Sequence, residues 1–298
     1  MSIINCSYSI FYTDHFFDIP TKHTRFSKLS HAKNYALDPK LDLDAFKEAI
    51  LDGLTPPPGY FPQNVLMNIN GYDSIDKVLE RGAKPLTPKE FEAAANETEA
   101  VLLDTRKAQV FKDEFVPNSI NIGIDGSFAT WVGTLIPSVK QEILVIADEN
   151  RLEEVLTRLA RVGYDNVLGY LKGGVEAWKK AGFETDAIES VAPEFVAEKQ
   201  ETGEVNLLDV RKKSEYDSEH VEGAVNAPLD YINDSMTKVE TDKTYYVNCK
   251  SGYRSMAFVS TLRARGYHNL IDVQKGFDGM KASGKFEVTE YVAPTTML

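Results

Sequence analysis

From about residue 84 onward, short and continuously apolar runs alternate with stretches whose apolar positions recur at helical spacing. Thr87-Pro88-Lys89-Glu90 has the spacing of a capping box with proline at the first helical position, which predicts a helix to about residue 95. Strands are expected at 100–103, 143–147 and 167–171. Between the last two, Val155, Leu156 and Leu159 mark one face of a helix over 153–162. The same order returns as strands at 205–210, 244–248 and 270–273 with a helix over 256–265. Runs that are apolar throughout, without polar alternation, suit parallel strands covered on both faces. The fold class expected is α/β, with small parallel sheets flanked by helices.

The two halves of this pattern are copies. Leu102-Leu103-Asp104-Thr105-Arg106 recurs as Leu207-Leu208-Asp209-Val210-Arg211 at an offset of 105, and Asn121 recurs as Asn226 at the same offset. Gly163-Tyr164-Asp165-Asn166 recurs as Gly266-Tyr267-His268-Asn269 at an offset of 103, and Lys172-Gly173 as Lys275-Gly276. A period near a hundred residues is a duplicated domain, since solenoid repeats are roughly 20 to 50 residues. The expected units are 84–187 (copy one) and 188–298 (copy two), with residues 1–83 matching neither. In that leading segment, Leu43, Phe46 and Ile50 predict a helix over 42–51 stopped by Gly53, and the proline run 55–62 predicts extended, polyproline-like backbone.

Composition narrows the function. The 298 residues carry 33 Lys plus Arg against 45 Asp plus Glu, a net charge of -12, which disfavours nucleic acid as a partner. Mean hydropathy is -0.29, and no apolar run approaches the ~20 residues of a membrane span. The two cysteines, Cys6 and Cys249, are too few for a disulfide framework, and the start of the chain lacks the basic residues and cleavage site of a leader. The expectation is a cytoplasmic protein without a membrane partner.

One loop carries chemistry. Asn248-Cys249-Lys250-Ser251-Gly252-Tyr253-Arg254-Ser255 lies between an apolar strand and a helix expected to begin at Ser255. A glycine-containing loop in that setting turns backbone N-H groups inward, and the helix N-terminus adds its positive end. A cysteine at its base is favoured as thiolate, the nucleophilic form. Arg254 closes the loop with a fixed cation and Lys250 adds another. At the same strand end of copy one stands Asp148, followed by Glu149. That copy is expected to lack the chemistry and to pack against or orient the other.

Cys249 to Ser255, the downstream Gly276-Phe277, and upstream Asp209-Val210-Arg211, Glu215-Tyr216 and His220 to Pro228 together resemble a rhodanese domain, and copy one resembles one too. The resemblance implies a small five-stranded parallel sheet and transfer of sulfane sulfur through a persulfide on Cys249. It implies a binding loop of Lys250, Ser251, Gly252, Tyr253 and Arg254, with Asp209, Arg211 and His220 in supporting segments. Read from the residues alone, Asp209-x-Arg211 is a structural ion pair. Related phosphatases of the cell-cycle type have a loop one residue longer, which suits phosphate. The six residues from Cys249 to Arg254 favour sulfur.

Residues 26–83 resemble the end of the metallo-β-lactamase-fold domain in proteins that fuse it to rhodanese repeats. His15, His23 and His31 do not have chelating spacing, and the family's His-rich metal motif is missing, so neither metal nor organic cofactor is implied. The resulting expectation is a sulfurtransferase moving sulfur from thiosulfate, a polysulfide or a low-molecular-weight persulfide to cyanide, a thiol or an acceptor protein. The alternative is a persulfide carrier or protein-binding scaffold without turnover.

Overall fold

The computed structural model describes residues 40–51, 57–203 and 205–293. Cys6, the three early histidines and Gly53 lie outside them. The chain divides into two compact units, one of residues 1–54 with 295–298, the other of residues 55–294. In the first unit the helix expected from Leu43 and Phe46 is present as Leu43–Leu51.

The second unit holds two five-stranded sheets in which every pairing is parallel. Copy one contributes β1 (Pro85–Leu86), β2 (Val101–Asp104), β3 (Ile120–Asn121), β4 (Ile143–Ile146) and β5 (Val167–Leu171), in the order β1-β5-β4-β2-β3. Copy two contributes β6 (Ser190–Val191), β7 (Asn206–Asp209), β8 (Val225–Asn226), β9 (Tyr245–Asn248) and β10 (Leu270–Val273), in the matching order β6-β10-β9-β7-β8. All four residues of β4 and of β9 are buried, as central strands between helical layers require. The capping box at Thr87 forms with Glu90, and the helix it starts runs Pro88–Glu97. The next anticipated helix is Leu152–Ala160, with Val155, Leu156 and Leu159 buried.

The proline-rich connector departs from expectation. Residues 55 and 56 lie outside the described residues, Gly59 is already in the right-handed helical region, and Tyr60–Asn70 is a helix. Pro62 sits in its first turn, where an N-H would have no intrahelical acceptor, so the ring is tolerated there. Copy one supplies glycines where this helix seats. A Cβ on Gly133 would lie 2.3 Å from the Tyr60 ring, and one on Gly163 would lie 2.8 Å from Asn64.

The Tyr253–Ala264 helix joins the copies. Ser255 through Leu262 are all buried, so it has no solvent face and no amphipathic period. One side packs on β9 and β10 of its own sheet, the other on β3 of copy one. The Ser260 hydroxyl accepts the Asn121 N-H at 2.9 Å, which covers an edge strand. Arg263 makes two 2.7 Å bonds to Asp186, and a single apolar core includes Ile122 and Phe128 of copy one with Met256, Phe258 and Leu262 of copy two. Among the described residues, no helix is long and apolar enough to cross a membrane.

A core shared in this way predicts one cooperative calorimetric transition for the two sheets. A fragment of residues 188–298, which exposes the outer side of the Tyr253–Ala264 helix, should melt about 10 °C below the full chain. Two separate transitions, or a fragment as stable as the whole, would contradict it.

Candidate active site

Cys249 follows the last residue of β9 and is only 1% exposed. The chain turns through Lys250 and Ser251, whose side chains stay outside, and enters the helix at Tyr253, two residues earlier than expected. Gly252 makes the turn with φ of 109° and directs its N-H at the Cys249 sulfur, 3.1 Å away. The Ser255 hydroxyl lies 3.6 Å from the same sulfur. The Gly252 N-H therefore faces Sγ with its positive end from the start of this helix, while the Ser255 hydroxyl, whose own proton goes to Asp272, accepts from the Cys249 S-H.

A second helix, Gly276–Ser283, grips the loop from behind. The N-H of Phe277 donates to the Cys249 carbonyl at 2.7 Å and that of Asp278 to the Lys250 carbonyl at 3.1 Å. This approach needs a glycine. Gly276 has φ of 53°, and a Cβ there would stand 2.2 Å from the Cys249 carbonyl oxygen.

The remaining predicted loop residues divide by direction. Tyr253 turns away from the sulfur into copy one, where its hydroxyl donates to the Gly123 carbonyl at 2.7 Å and its ring occupies the space a Cβ of Gly126 would need. Burial pushes that phenol up from its ordinary range. Arg254 acts on Cys249 through its charge but spends its hydrogen bonds on Glu215, at 2.5 and 2.9 Å. Glu215 lies in the stretch that resembles a rhodanese domain but is not among the expected site residues. Its long distance in sequence from the loop, with no periodicity linking the two, hides the pairing.

The supporting residues act as braces. Arg211 Nε lies 2.9 Å from both Asp209 oxygens, Nη2 reaches the Glu219 carbonyl at 2.8 Å, and the guanidinium sits 4.1 Å over the Phe277 ring. Asp104 and Arg106 repeat this pair in copy one, with Nε at 3.0 Å from both oxygens and Nη2 3.0 Å from the Glu114 carbonyl. An ion pair present in the copy without the nucleophile serves the strand end. His220 is engaged elsewhere, with Nδ1 2.7 Å from the Tyr216 carbonyl and its ring stacked on Tyr216 at 3.7 Å.

Strand register corrects the alignment of the copies. Asp104 faces Ile146 and Asp209 faces Asn248, so Ala147, and not Asp148, occupies the cysteine position. The apolar run of β4 continues one residue past the strand, through Ala147, so hydrophobicity alone puts the strand end one residue late. Copy one has a 3-10 turn, Glu149–Arg151, where copy two has its loop, and Glu149 accepts the Gly173 N-H at 3.0 Å. Among the described residues, no three His, Cys, Asp or Glu side chains gather to hold a metal ion.

The rhodanese-like domain family matches residues 87–181 and again 192–283, one match on each sheet. The chain belongs to that family. YqhL, an uncharacterized protein of Bacillus subtilis (strain 168), is 34% identical over 71 residues, covering 24% of this chain and 56% of its own. YrkF of the same strain, named a putative sulfur carrier protein, is 29% identical over 106 residues, covering 35% of this chain and 55% of its own. This rhodanese-like chain thus spans just over half the length of those relatives. A thiosulfate sulfurtransferase structure from Pseudomonas aeruginosa is 22% identical with a TM-score of 0.32, covering 70% of this chain and 44% of that one. Membership of the family rests on the double match, one on each sheet.

Two predictions test the loop. Gly276→Ala should destabilise the protein by about 3 kcal/mol in chemical denaturation, from left-handed strain plus displacement of the Cys249 carbonyl. Burial works to raise the Glu215 carboxyl, but hydrogen bonds and charge from Arg254 outweigh it and hold the group below its ordinary 4.5. A depressed carboxyl stabilises the fold above its unfolded value and loses that contribution as pH falls through the folded value. Glu215→Gln should therefore cost about 1 kcal/mol near neutral pH. In denaturation at a series of pH values, that gap should close as pH falls below the ordinary carboxylate range.

Proposed function

We propose that copy two is a sulfurtransferase domain that carries sulfane sulfur as a persulfide on Cys249. The observation that carries this reading is the Gly252 N-H at 3.1 Å from Sγ, within a six-residue loop bounded by Cys249 and Arg254. In the first half-reaction the Cys249 thiolate attacks the outer sulfur of a donor. The new S-S bond forms as the donor's own bond to that sulfur breaks, releasing sulfite from thiosulfate or a thiolate from a persulfide. In the second, cyanide, a thiol or a protein cysteine attacks the carried sulfur and Cys249 leaves as thiolate. Backbone N-H groups and the charge of Arg254 stabilise the sulfur anion at both stages. Membership of the rhodanese-like family supports the chemistry.

Copy one has Ala147 at the corresponding position and is assigned a packing role, with domain limits at 84–187 and 188–298. Residues 1–83 are read as an extension resembling a metallo-β-lactamase-fold terminus, which the proposed reaction does not use. The sparse cysteines fit a reducing, cytoplasmic setting.

A second reading, a carrier without turnover, is favoured by one observation: Cys249 is almost wholly buried and its neighbouring cation is already paired with Glu215. Intact mass after incubation with thiosulfate or glutathione persulfide tests the first half-reaction. The chain should gain about one sulfur mass, lost on addition of cyanide and absent in Cys249→Ser. An adduct that survives in Cys249→Ser defeats both readings, while one that forms but resists cyanide and thiols leaves the carrier.

A further inference from the structure

Behind the nucleophile lies a buried polar chain that none of the expected site residues includes. Ser255 Oγ lies 3.6 Å from Cys249 Sγ and donates to Asp272 Oδ1 at 2.7 Å, and Ser190 Oγ donates to Asp272 Oδ2 at 2.7 Å. Asp272 is 4% exposed and Ser255 fully buried. A carboxylate held there by two neutral hydroxyls is costly, because the burial of a charge is normally offset by an opposite charge. The cation whose charge reaches it is Lys112 of copy one, and that ammonium is bonded to Asp113.

The duplication shows that the fold does not need this chain. In copy two, Ser190 of β6 stands opposite Asp272 of β10. At the same register in copy one, β1 and β5 pair through Pro85 and Tyr170. The helix that begins at Leu152 opens with Leu152, Glu153 and Glu154, without a hydroxyl. The sheet edge closes equally well in both copies, yet the serine, aspartate and serine occur together with the cysteine and are absent with the alanine.

We infer that Asp272, acting through the Ser255 hydroxyl, is the proton acceptor for Cys249. The inference rests on Cys249 being the nucleophile of the proposed sulfur transfer. The Cys249 S-H proton passes to Ser255 Oγ as the Ser255 O-H proton passes to Asp272 Oδ1. The products are a thiolate, an unchanged serine and a neutral carboxylic acid. Total charge stays at one negative unit, which moves from the buried carboxylate to the sulfur facing the Gly252 N-H. Burial pushes the Asp272 carboxyl up, with the two serine bonds opposing, and so favours its protonated form. Asp272 is a positioning residue here, because it acts on the sulfur through Ser255.

The test is the rate of Cys249 alkylation by iodoacetamide in the full chain, followed on the Cys249 peptide by mass. Asp272→Asn and Ser255→Ala should react about tenfold more slowly than the parent near pH 7. Near pH 10, where hydroxide removes the proton without the relay, the rates should converge. Ser255→Thr keeps a hydroxyl and should recover most of the rate. Equal rates near pH 7, or a deficit of the same size at both pH values, would overturn the inference. Should Asp272→Asn lose its fold by circular dichroism, the Ser255→Ala and Ser255→Thr pair decides alone. Alkylation needs no sulfur donor. A relay that behaves as expected in a chain that never gains sulfur would sink the transfer reading and spare the relay.

Discussion

The Tyr253–Ala264 helix is buried all round, and a helix in that state must find apolar or hydrogen-bonding neighbours on every side. Its own sheet covers one side and copy one covers the other. Its hydroxyls are satisfied within this setting, Ser255 by Asp272 and Thr261 by the Ala257 carbonyl, while Ser260 serves the β3 edge of the neighbouring sheet. The first turn of the same helix forms the end of the cysteine loop. The direction of the Gly252 N-H and of the Ser255 hydroxyl therefore depends on contacts made by copy one, which has no nucleophile of its own.

Tyr253 makes that dependence specific. A tyrosine one residue into the helix would be expected to line the loop, but Gly123 and Gly126 open a slot for it in copy one. Its hydroxyl finds a carbonyl there, so the ring is held at both ends. On the opposite side of the loop, the Gly276–Ser283 helix donates two backbone bonds to the loop carbonyls, and Arg211 rests on its Phe277. The cysteine is held between two helix N-termini, one aimed at its sulfur and one at its carbonyl.

Duplication separates what the fold requires from what the site adds. The buried Asp-Arg brace and the Asn that bonds two carbonyls beside it occur in both copies, through Asp104, Arg106 and Asn121 and through Asp209, Arg211 and Asn226. These maintain the end of the second strand whatever the loop does. Cys249, Gly252, Ser255, Asp272 and the Arg254–Glu215 pair belong to copy two alone. Replacement of that set leaves copy one with an intact sheet of the same order, because the ladder is made by backbone groups that any of these residues supplies: Tyr170 pairs in β5 where Asp272 pairs in β10.

The sequence by itself determined the duplication, the central strands, the capped helix at Pro88, the amphipathic helix at Leu152 and the loop around Cys249. Each is written in local periodicity or a short contiguous motif. It did not disclose the two-residue edge strands, which are too short to show a period, or the helix after Gly59, where proline in a first turn looks like proline in an extended segment. Nor did it place Ala147 at the cysteine position, since an apolar run shows neither where a strand ends nor its register. The partners Glu215 of Arg254, Gly123 of Tyr253, and Ser190 with Asp272 behind Ser255 were decided by tertiary structure alone. Side-chain direction and strand register are set by contacts between residues tens to more than a hundred positions apart, and no local pattern encodes them.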